Sequence, residues 1–358
     1  MLTIVFGILL CVLVLPFGIL LFFSGGDHSQ YDHPRPNPVT SELEESAAHK
    51  NLTNLIQDER ANSPKLGRKE MLAHMRLQMD DRGLAHQIDA QIKSVHADDV
   101  RGEWVVSPNS DQNRRMLYIH GGAYMVGSPR SHRLIAARMS HATNAAVFVV
   151  ECRLLPEHNR MAGIEDCRNA YLWMLGNGPN GPSNAEALIV AGDSSGGNIA
   201  LSLLAWARNT RQRVADLAVV FSPQTDLTLA SPSLISNTPT DVMQGGSFGS
   251  IVKAPKIIRL GFSFLMHRIN PKSPMVSPLL GNLNDLPPTL LQASNTEMFL
   301  DDAIRYANKA NAQGSSVTLQ VWPFALHVWQ AFQIPEADEA FEEVSSFVAK
   351  HLGANPRF

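Results

Sequence analysis

Cysteine is scarce in this sequence. Of its 358 residues only Cys11, Cys152 and Cys167 carry a thiol, too few for a disulfide scaffold, so the class of small cross-linked secreted folds is excluded. An excess of charge of either sign is lacking too: 30 Lys and Arg stand against 33 Asp and Glu, a net charge of −3. No cluster of Lys and Arg occurs, and basic residues are not interleaved with aromatics, so there is no electrostatic footprint for nucleic acid. No internal repeat is present. With 44% hydrophobic and 18% charged residues, 24 Gly and 22 Pro, the composition is that of an ordinary globular chain with apolar side chains enough for a large core. Nothing calls for a metal or an organic cofactor, and none is expected.

What is present begins with a long uncharged run. Leu2 to Phe23 carries no charged side chain, and at about 1.5 Å per residue it spans roughly 33 Å as a helix, close to the thickness of a bilayer core. A membrane anchor over residues 1–23 is expected. A cleaved signal peptide is the competing reading, because Ser24-Gly25-Gly26 supplies small residues, but the run is long for one and lacks a basic start. Beyond it Asp27, Asp32, Glu42, Glu44 and Glu45 outnumber Arg35, so the body is expected on the non-cytoplasmic side. Cys11 lies inside this run. Cys152 and Cys167 read as buried free thiols, with a disulfide between them the alternative if the body is exported.

Residues 24–40 read as a stiff linker, since three prolines fall between Tyr31 and Val39. The folded body then covers 41–358. Residues 41–95 look helical, and Met71, Met75 and Met79 recur every fourth position as a core-facing stripe or a methionine wall over an apolar pocket. From residue 101 onward short Val- and Ile-rich runs alternate with helical patterns, the signature of an α/β fold with a mostly parallel central sheet and helices on both faces. Strands are expected at Met116–His120, Ala146–Cys152, Ala187–Gly192, Leu217–Phe221, Thr289–Ala293 and Val317–Val321. Helices are expected near 131–142, 163–175, 197–209, 299–312 and 336–352. Residues 228–275 show no strand pattern, gather Phe248, Ile251, Phe262, Phe264 and Met266, and read as an insertion contributing to a lid.

Gly192-Asp193-Ser194-Ser195-Gly196 stands between the apolar strand pattern at 187–191 and a helix opening at Gly197. A serine on such a sharp strand-to-helix turn has its hydroxyl presented above the sheet, and flanking glycines remove side chains that would clash there. Unpaired N–H groups and the dipole of the following helix favour negative charge at that point. Ser194 is therefore the candidate nucleophile. His120-Gly121-Gly122-Ala123-Tyr124 ends an earlier strand pattern, and its small residues let backbone amides approach a substrate oxygen. Gly121, Gly122 and Ser195 are expected to form an oxyanion hole, with Ala123 a further donor, while His120 orients the loop.

Among 13 histidines, His327 follows the last strand pattern and comes after the serine in the order this chemistry uses, so it is the expected general base. His158 and His267 read as surface or packing residues. The acid is expected between serine and base just beyond a strand, where Glu297 lies; Asp301 and Asp302 are the rivals, but their place in the first turn of the next helix is explained by the helix dipole.

With these residues in view, the chain resembles the hormone-sensitive-lipase-like family of α/β hydrolases, in the bacterial-type carboxylesterase branch with a G-D-S-x-G elbow. The resemblance covers about residues 95–352. It rests on His120-Gly-Gly-Ala-Tyr124, Arg153-Leu-Leu-Pro-Glu157-His158, the elbow at Ser194, Ser222-Pro-Gln-Thr-Asp226-Leu227 and Trp322-Pro-Phe-Ala-Leu-His327-Val-Trp329. It implies the α/β-hydrolase fold with a helical cap, for which 41–95 and 228–275 look like the pieces, and hydrolysis of short- to medium-chain acyl esters through an acyl-enzyme. It also supports Glu297, which precedes the acidic pair Asp301-Asp302 as the family's acid does. The sequence departs from the family at Ala123, Ser195 and Cys152, where many relatives have glycine, alanine and tyrosine. The expected partner is a small-molecule acyl ester. Two other readings stand beside it: an amide-cleaving deacetylase of the arylacetamide type, with the same residues, and a non-catalytic ligand-binding protein, against which the presence of His327 speaks.

Overall fold

The computed structural model describes residues 18–36, 39 and 44–353. Its sheet is built from β1 (Gln91–Ala97), β2 (Val100–Val106), β3 (Asp111–Ile119), β4 (Ala145–Val150), β5 (Ala187–Asp193), β6 (Leu217–Phe221), β7 (Thr289–Ser294) and β8 (Val317–Trp322), in the spatial order β1-β2-β4-β3-β5-β6-β7-β8. The strands from β4 through β3 to β8 run parallel. β2 pairs antiparallel with both β1 and β4. Parallel neighbours need crossover helices, which cover both faces and explain why β4, Ala145 to Val150, is apolar and buried at every position.

The longer helices outside the sheet are α1 (Ala47–Ala61), α2 (Arg68–Leu84), α3 (Arg133–Thr143), α4 (Arg160–Gly176), α5 (Ser194–Asn209), α6 (Gly245–Val252), α7 (Lys256–His267), α8 (Leu300–Ala312) and α9 (Pro335–Leu352). Successive side chains of a strand point to opposite faces, so Leu117 and Ile119 of β3 enter one core with Phe148 and Tyr171 of α4, while Met116 and Tyr118 enter the other with Ile135 of α3 and Val344 of α9. Phe148 is fully buried between Trp104 and Trp173, and its truncation to alanine would cost about 3–5 kcal/mol.

The six strands expected from residue 101 onward all form. The helical reading of 41–95, however, ends at Leu84, and Gln91–Ala97 is a strand. Ile88, Ile92 and Val95 mimic a helical spacing of four and three, but Ile92 packs into the core with Met116 and Val95 into the core with Leu117, on opposite sides of the sheet as strand alternation requires. Asp98, with φ of 48°, turns the chain tightly into β2. The methionine stripe is also corrected. Met75 is 45% exposed, and none of Met71, Met75 and Met79 lines the cavity over Ser194. Instead α2 is fastened by Arg76, which donates to the carbonyls of Met125 and Leu155 and pairs with Glu157.

The anchor expected at the start of the chain, with the non-cytoplasmic placement of the body that followed from it, is overturned. Among the described residues no helix is long and apolar enough to cross a membrane, and residues 1–17 lie outside the described part. Residues 18–23 are a short helical piece directed at the body: the Phe23 ring stacks on Phe264 of α7 at 4.7 Å, and Asn270 donates to the Phe22 carbonyl. Further along, Arg305 pairs with Asp32 at 2.6 Å, Asn308 donates to the carbonyls of Tyr31 and Pro34, and Arg35 pairs with Asp301.

Candidate active site

The turn from β5 into α5 places Ser194 at the carboxyl edge of the sheet. Ser194 has φ of 51°, a left-handed conformation that costs a non-glycine residue energy and that the tight turn imposes. The turn presses so closely on β3 that a Cβ at Gly196 would lie 2.0 Å from the Ile119 carbonyl oxygen. Only glycine fits there.

His327 lies on the loop after β8. Its Nε2 is 2.9 Å from Ser194 Oγ, and its Nδ1 is 2.6 Å from Glu297 Oε2. Glu297 follows β7 on a short loop, where its other carboxylate oxygen accepts the Ser294 amide at 2.8 Å. Val328, next to the histidine, donates its amide to Ser222 Oγ and fixes the loop from the side. All three side chains are buried. Burial pulls the His327 imidazole down, but the hydrogen bond and charge of Glu297 outweigh it and raise its pKa above the ordinary value.

Asp301 and Asp302 do not reach His327. Asp301 accepts the Ser233 amide and pairs with Arg35, and Asp302 accepts the amides of Thr225 and Asp226 together with the Ser231 hydroxyl. Both tie neighbouring loops to the first turn of α8. Burial, then the nearby Asp226 carboxylate, pushes Asp302 up to about 7.

The 120–124 loop departs from expectation at one amide. The Gly121 N–H donates to Asp193 Oδ1 at 3.1 Å, so it does not face a substrate oxygen. Asp193 also accepts the Tyr118 hydroxyl at 2.9 Å and has His132 Nε2 at 3.5 Å. The remaining candidate donors at the elbow are the amides of Gly122 and Ala123 from the loop and Ser195 from the first turn of α5. Gly122, with φ of 119°, has no room for a side chain, since a Cβ would meet the Val126 carbonyl oxygen at 2.2 Å. Ala123 keeps a left-handed φ of 54°. His120 holds the loop from below through the Gly121 carbonyl, 2.9 Å away, and the Cys152 sulfur, 3.7 Å away. Cys152 and Cys167 are buried free thiols.

Above Ser194 opens an apolar cavity of about 110 Å³. Residues 228–275, strandless as expected, fold as α6 and α7 with a shorter helix before them and supply much of its wall, including Phe248, Ile251 and Met266. Met298 and Phe299 close it beside His327. His158 is exposed and His267 buried, both within the surface-or-packing reading, but His267 also lines this cavity. Sequence reasoning missed Asp193 as the clamp and Tyr124, Ser263 and His267 as wall residues. The motif itself marks the first two positions, but nothing in the local pattern marks the last two.

No metal or cofactor is needed by this arrangement: a hydroxyl, an imidazole and a carboxylate in series can withdraw a proton from the hydroxyl as it attacks a carbonyl. Residues 116–331 match the family model described as the α/β-hydrolase fold. The chain is 32% identical to an acetyl-hydrolase of Streptomyces hygroscopicus over 70% of its own length and 80% of that protein. It is 30% identical to an esterase of Acinetobacter venetianus over 72% and 81% respectively. Among solved structures, the esterase EstE5 soaked with p-nitrophenyl butyrate aligns with a TM-score of 0.74 and 30% identity, covering 86% of this chain and all of that one. An esterase described as from the bacterial hormone-sensitive lipase family aligns with a TM-score of 0.74 and 28% identity, over 87% of this chain and all of its own.

Proposed function

Since the chain belongs to the hormone-sensitive-lipase-like family of α/β hydrolases and is a serine carboxylesterase, we propose that Ser194 is its nucleophile, His327 its general base and acid, and Glu297 the carboxylate that orients His327. The observation that carries this reading is the unbroken series Glu297 Oε2, His327 Nδ1, His327 Nε2 and Ser194 Oγ, with separations of 2.6 and 2.9 Å across its two contacts.

In the first half-reaction Ser194 Oγ adds to the ester carbonyl carbon while its proton passes to His327 Nε2. The developing oxyanion is received by the amides of Gly122, Ala123 and Ser195, preorganised donors of a kind whose individual loss typically costs about 10²–10³ in turnover. Collapse breaks the bond to the alcohol oxygen, which takes the proton from His327 and leaves an acyl-enzyme on Ser194. Water then gives a proton to His327, adds to the acyl carbon, and releases the acid as the proton returns to Ser194 Oγ. Throughout, Glu297 holds the tautomer with the proton on Nδ1 and stabilises the imidazolium.

The acyl esters are short to medium, with residues 228–275 acting as the cap piece over the cavity. Supporting this, the 110 Å³ cavity is far below the roughly 300–1,000 Å³ of pockets that enclose drug-sized ligands, leaving room for a few methylenes. A p-nitrophenyl ester series from acetate to palmitate tests both points. Turnover should peak between about two and eight carbons and vanish in Ser194→Ala. A peak at sixteen carbons would refute the chain-length assignment, and turnover retained in Ser194→Ala would refute the nucleophile. A matched p-nitroanilide separates ester from amide cleavage.

A further inference from the structure

One stretch of the cavity wall is not explained by apolar packing. Ser263 and His267 stand four residues apart on α7, so they share one face of that helix, and both line the cavity that contains Ser194. Ser263 is 2% exposed and His267 7%. Neither Ser263 Oγ nor His267 Nδ1 has a hydrogen-bond partner among the described residues. Buried hydroxyls and ring nitrogens are paired in the large majority of cases, because an unpaired one gives up its hydration and receives nothing in return. Two residues that each carry such an atom, on successive turns of one helix and along one cavity, outline the place of a missing polar partner.

The surroundings narrow the partner's chemistry. No Asp, Glu, Lys or Arg is among the residues described along this cavity, so a charged group would enter without a counter-ion. His267 stands edge-on to the Tyr124 ring at 5.1 Å, and the Arg160 guanidinium packs 3.8 Å from the centre of that same ring. Burial, assisted by the Arg160 charge, holds His267 down at about 3. Its imidazole is therefore neutral, with one nitrogen to donate and one to accept. Leu229, Phe248, Ile251 and most of the remaining wall are apolar, with Gln224 and Gln244 among the exceptions, so the ligand's polar atom belongs on a largely hydrocarbon chain.

We propose that the ester chain held in this cavity carries an uncharged hydroxyl or carbonyl oxygen that hydrogen-bonds to Ser263 and His267, making hydroxy- or oxo-substituted esters the preferred substrates over plain alkyl ones. This rests on the esterase reading given above and adds to it the polarity of the substrate. The oxygen is a neutral one, and it belongs to whichever half of the ester occupies the cavity.

The test compares kcat/KM within matched pairs: p-nitrophenyl butyrate with p-nitrophenyl 3-hydroxybutyrate for the acyl half, and butyl acetate with 3-hydroxybutyl acetate for the alcohol half. The full chain should favour the hydroxylated member of one pair by about tenfold, the order expected of one well-made buried hydrogen bond, and the pair that responds identifies the half. In Ser263→Ala and in His267→Phe that ratio should fall to within about twofold of one. His267→Asn, which keeps a polar atom near the Nδ1 position, should retain a measurable part of it. Ratios near one in both pairs, or a preference that persists in Ser263→Ala and His267→Phe, would overturn the inference. Failure to hydrolyse p-nitrophenyl butyrate at all would instead overturn the esterase assignment beneath it.

Discussion

The amide of Gly121 and the carboxylate of Asp193 are joined by a hydrogen bond of 3.1 Å. It ties the loop that supplies two candidate oxyanion donors to the turn that carries Ser194. Burial would raise the Asp193 carboxyl, but His132, Tyr118 and His120 around it hold it below the usual range, so this buried charge is satisfied from several sides. Asp193 acts through the loop and is a positioning residue.

Asp193→Asn should therefore lower kcat by about 10–100-fold, less than or equal to the loss of a single oxyanion donor, with little change in KM. The loss of stability should be about 1–3 kcal/mol, as expected when a buried acceptor is weakened. Steady-state kinetics beside a thermal melt checks both, and an unchanged kcat would mean that the loop holds its shape without this bond.

Glu297 and Asp301 are separated by four positions in the chain but by their partners in function. Glu297→Gln removes the charge that raises His327, so kcat should fall by about 10³–10⁴. The base must be neutral to act, so kcat/KM rises with pH through the folded pKa of His327, which lies above 6.5. In Glu297→Gln this limb should move to lower pH. Asp301→Asn keeps an acceptor for the Ser233 amide and loses only a pair with the half-exposed Arg35, so it should cost at most about 1 kcal/mol and leave turnover largely intact. A pH–rate profile of both variants decides.

Asp302 makes stability depend on pH. Its folded pKa, about 7, is above the ordinary 3.8, so the folded state binds the extra proton and stability declines as pH rises from about 4 through 7. Asp302→Asn retains an oxygen for the Thr225 and Asp226 amides and cannot ionise. Its stability, followed by thermal melts, should be flatter across that window and should exceed that of the unaltered protein above pH 7 by an amount on the order of 1 kcal/mol. A variant that is less stable at pH 8 would refute this.

Phe23 stacks on Phe264, between Ser263 and Leu265 on α7. Phe23→Ala removes a contact worth about 0.5–1.5 kcal/mol from the helix that walls the cavity. KM for a short ester should rise a few fold while kcat is kept. An equal loss in both would place the effect on folding.

The candidate elbow, oxyanion loop, base and acid were legible in the sequence because each rests on local geometry. A serine between glycines after an apolar strand, two small residues after another, and a histidine and a glutamate just beyond strand ends are short-range patterns that the parallel sheet gathers at one edge. The six strands from residue 101 onward were legible for a similar reason, since burial on both faces leaves continuous apolar runs. The β1–β2 hairpin was not. Its edge strand is mostly exposed and its apolar spacing matches a helix, so only pairing with Val100–Val106 decides it.

What the sequence by itself determined is thus the order of elements and the identity of Ser194, Glu297 and His327 as candidates. The tertiary structure decided which groups are left without partners. Gly121 looks like any other donor until Asp193 is found bonded to it. Residues 18–23 look like part of a membrane span until Phe23 is found against Phe264. Ser263 and His267 look like ordinary helix residues until α7 is laid across the cavity. In each case the deciding quantity is whether a polar or apolar group already has its contact, and that is a property of distant residues brought together by folding.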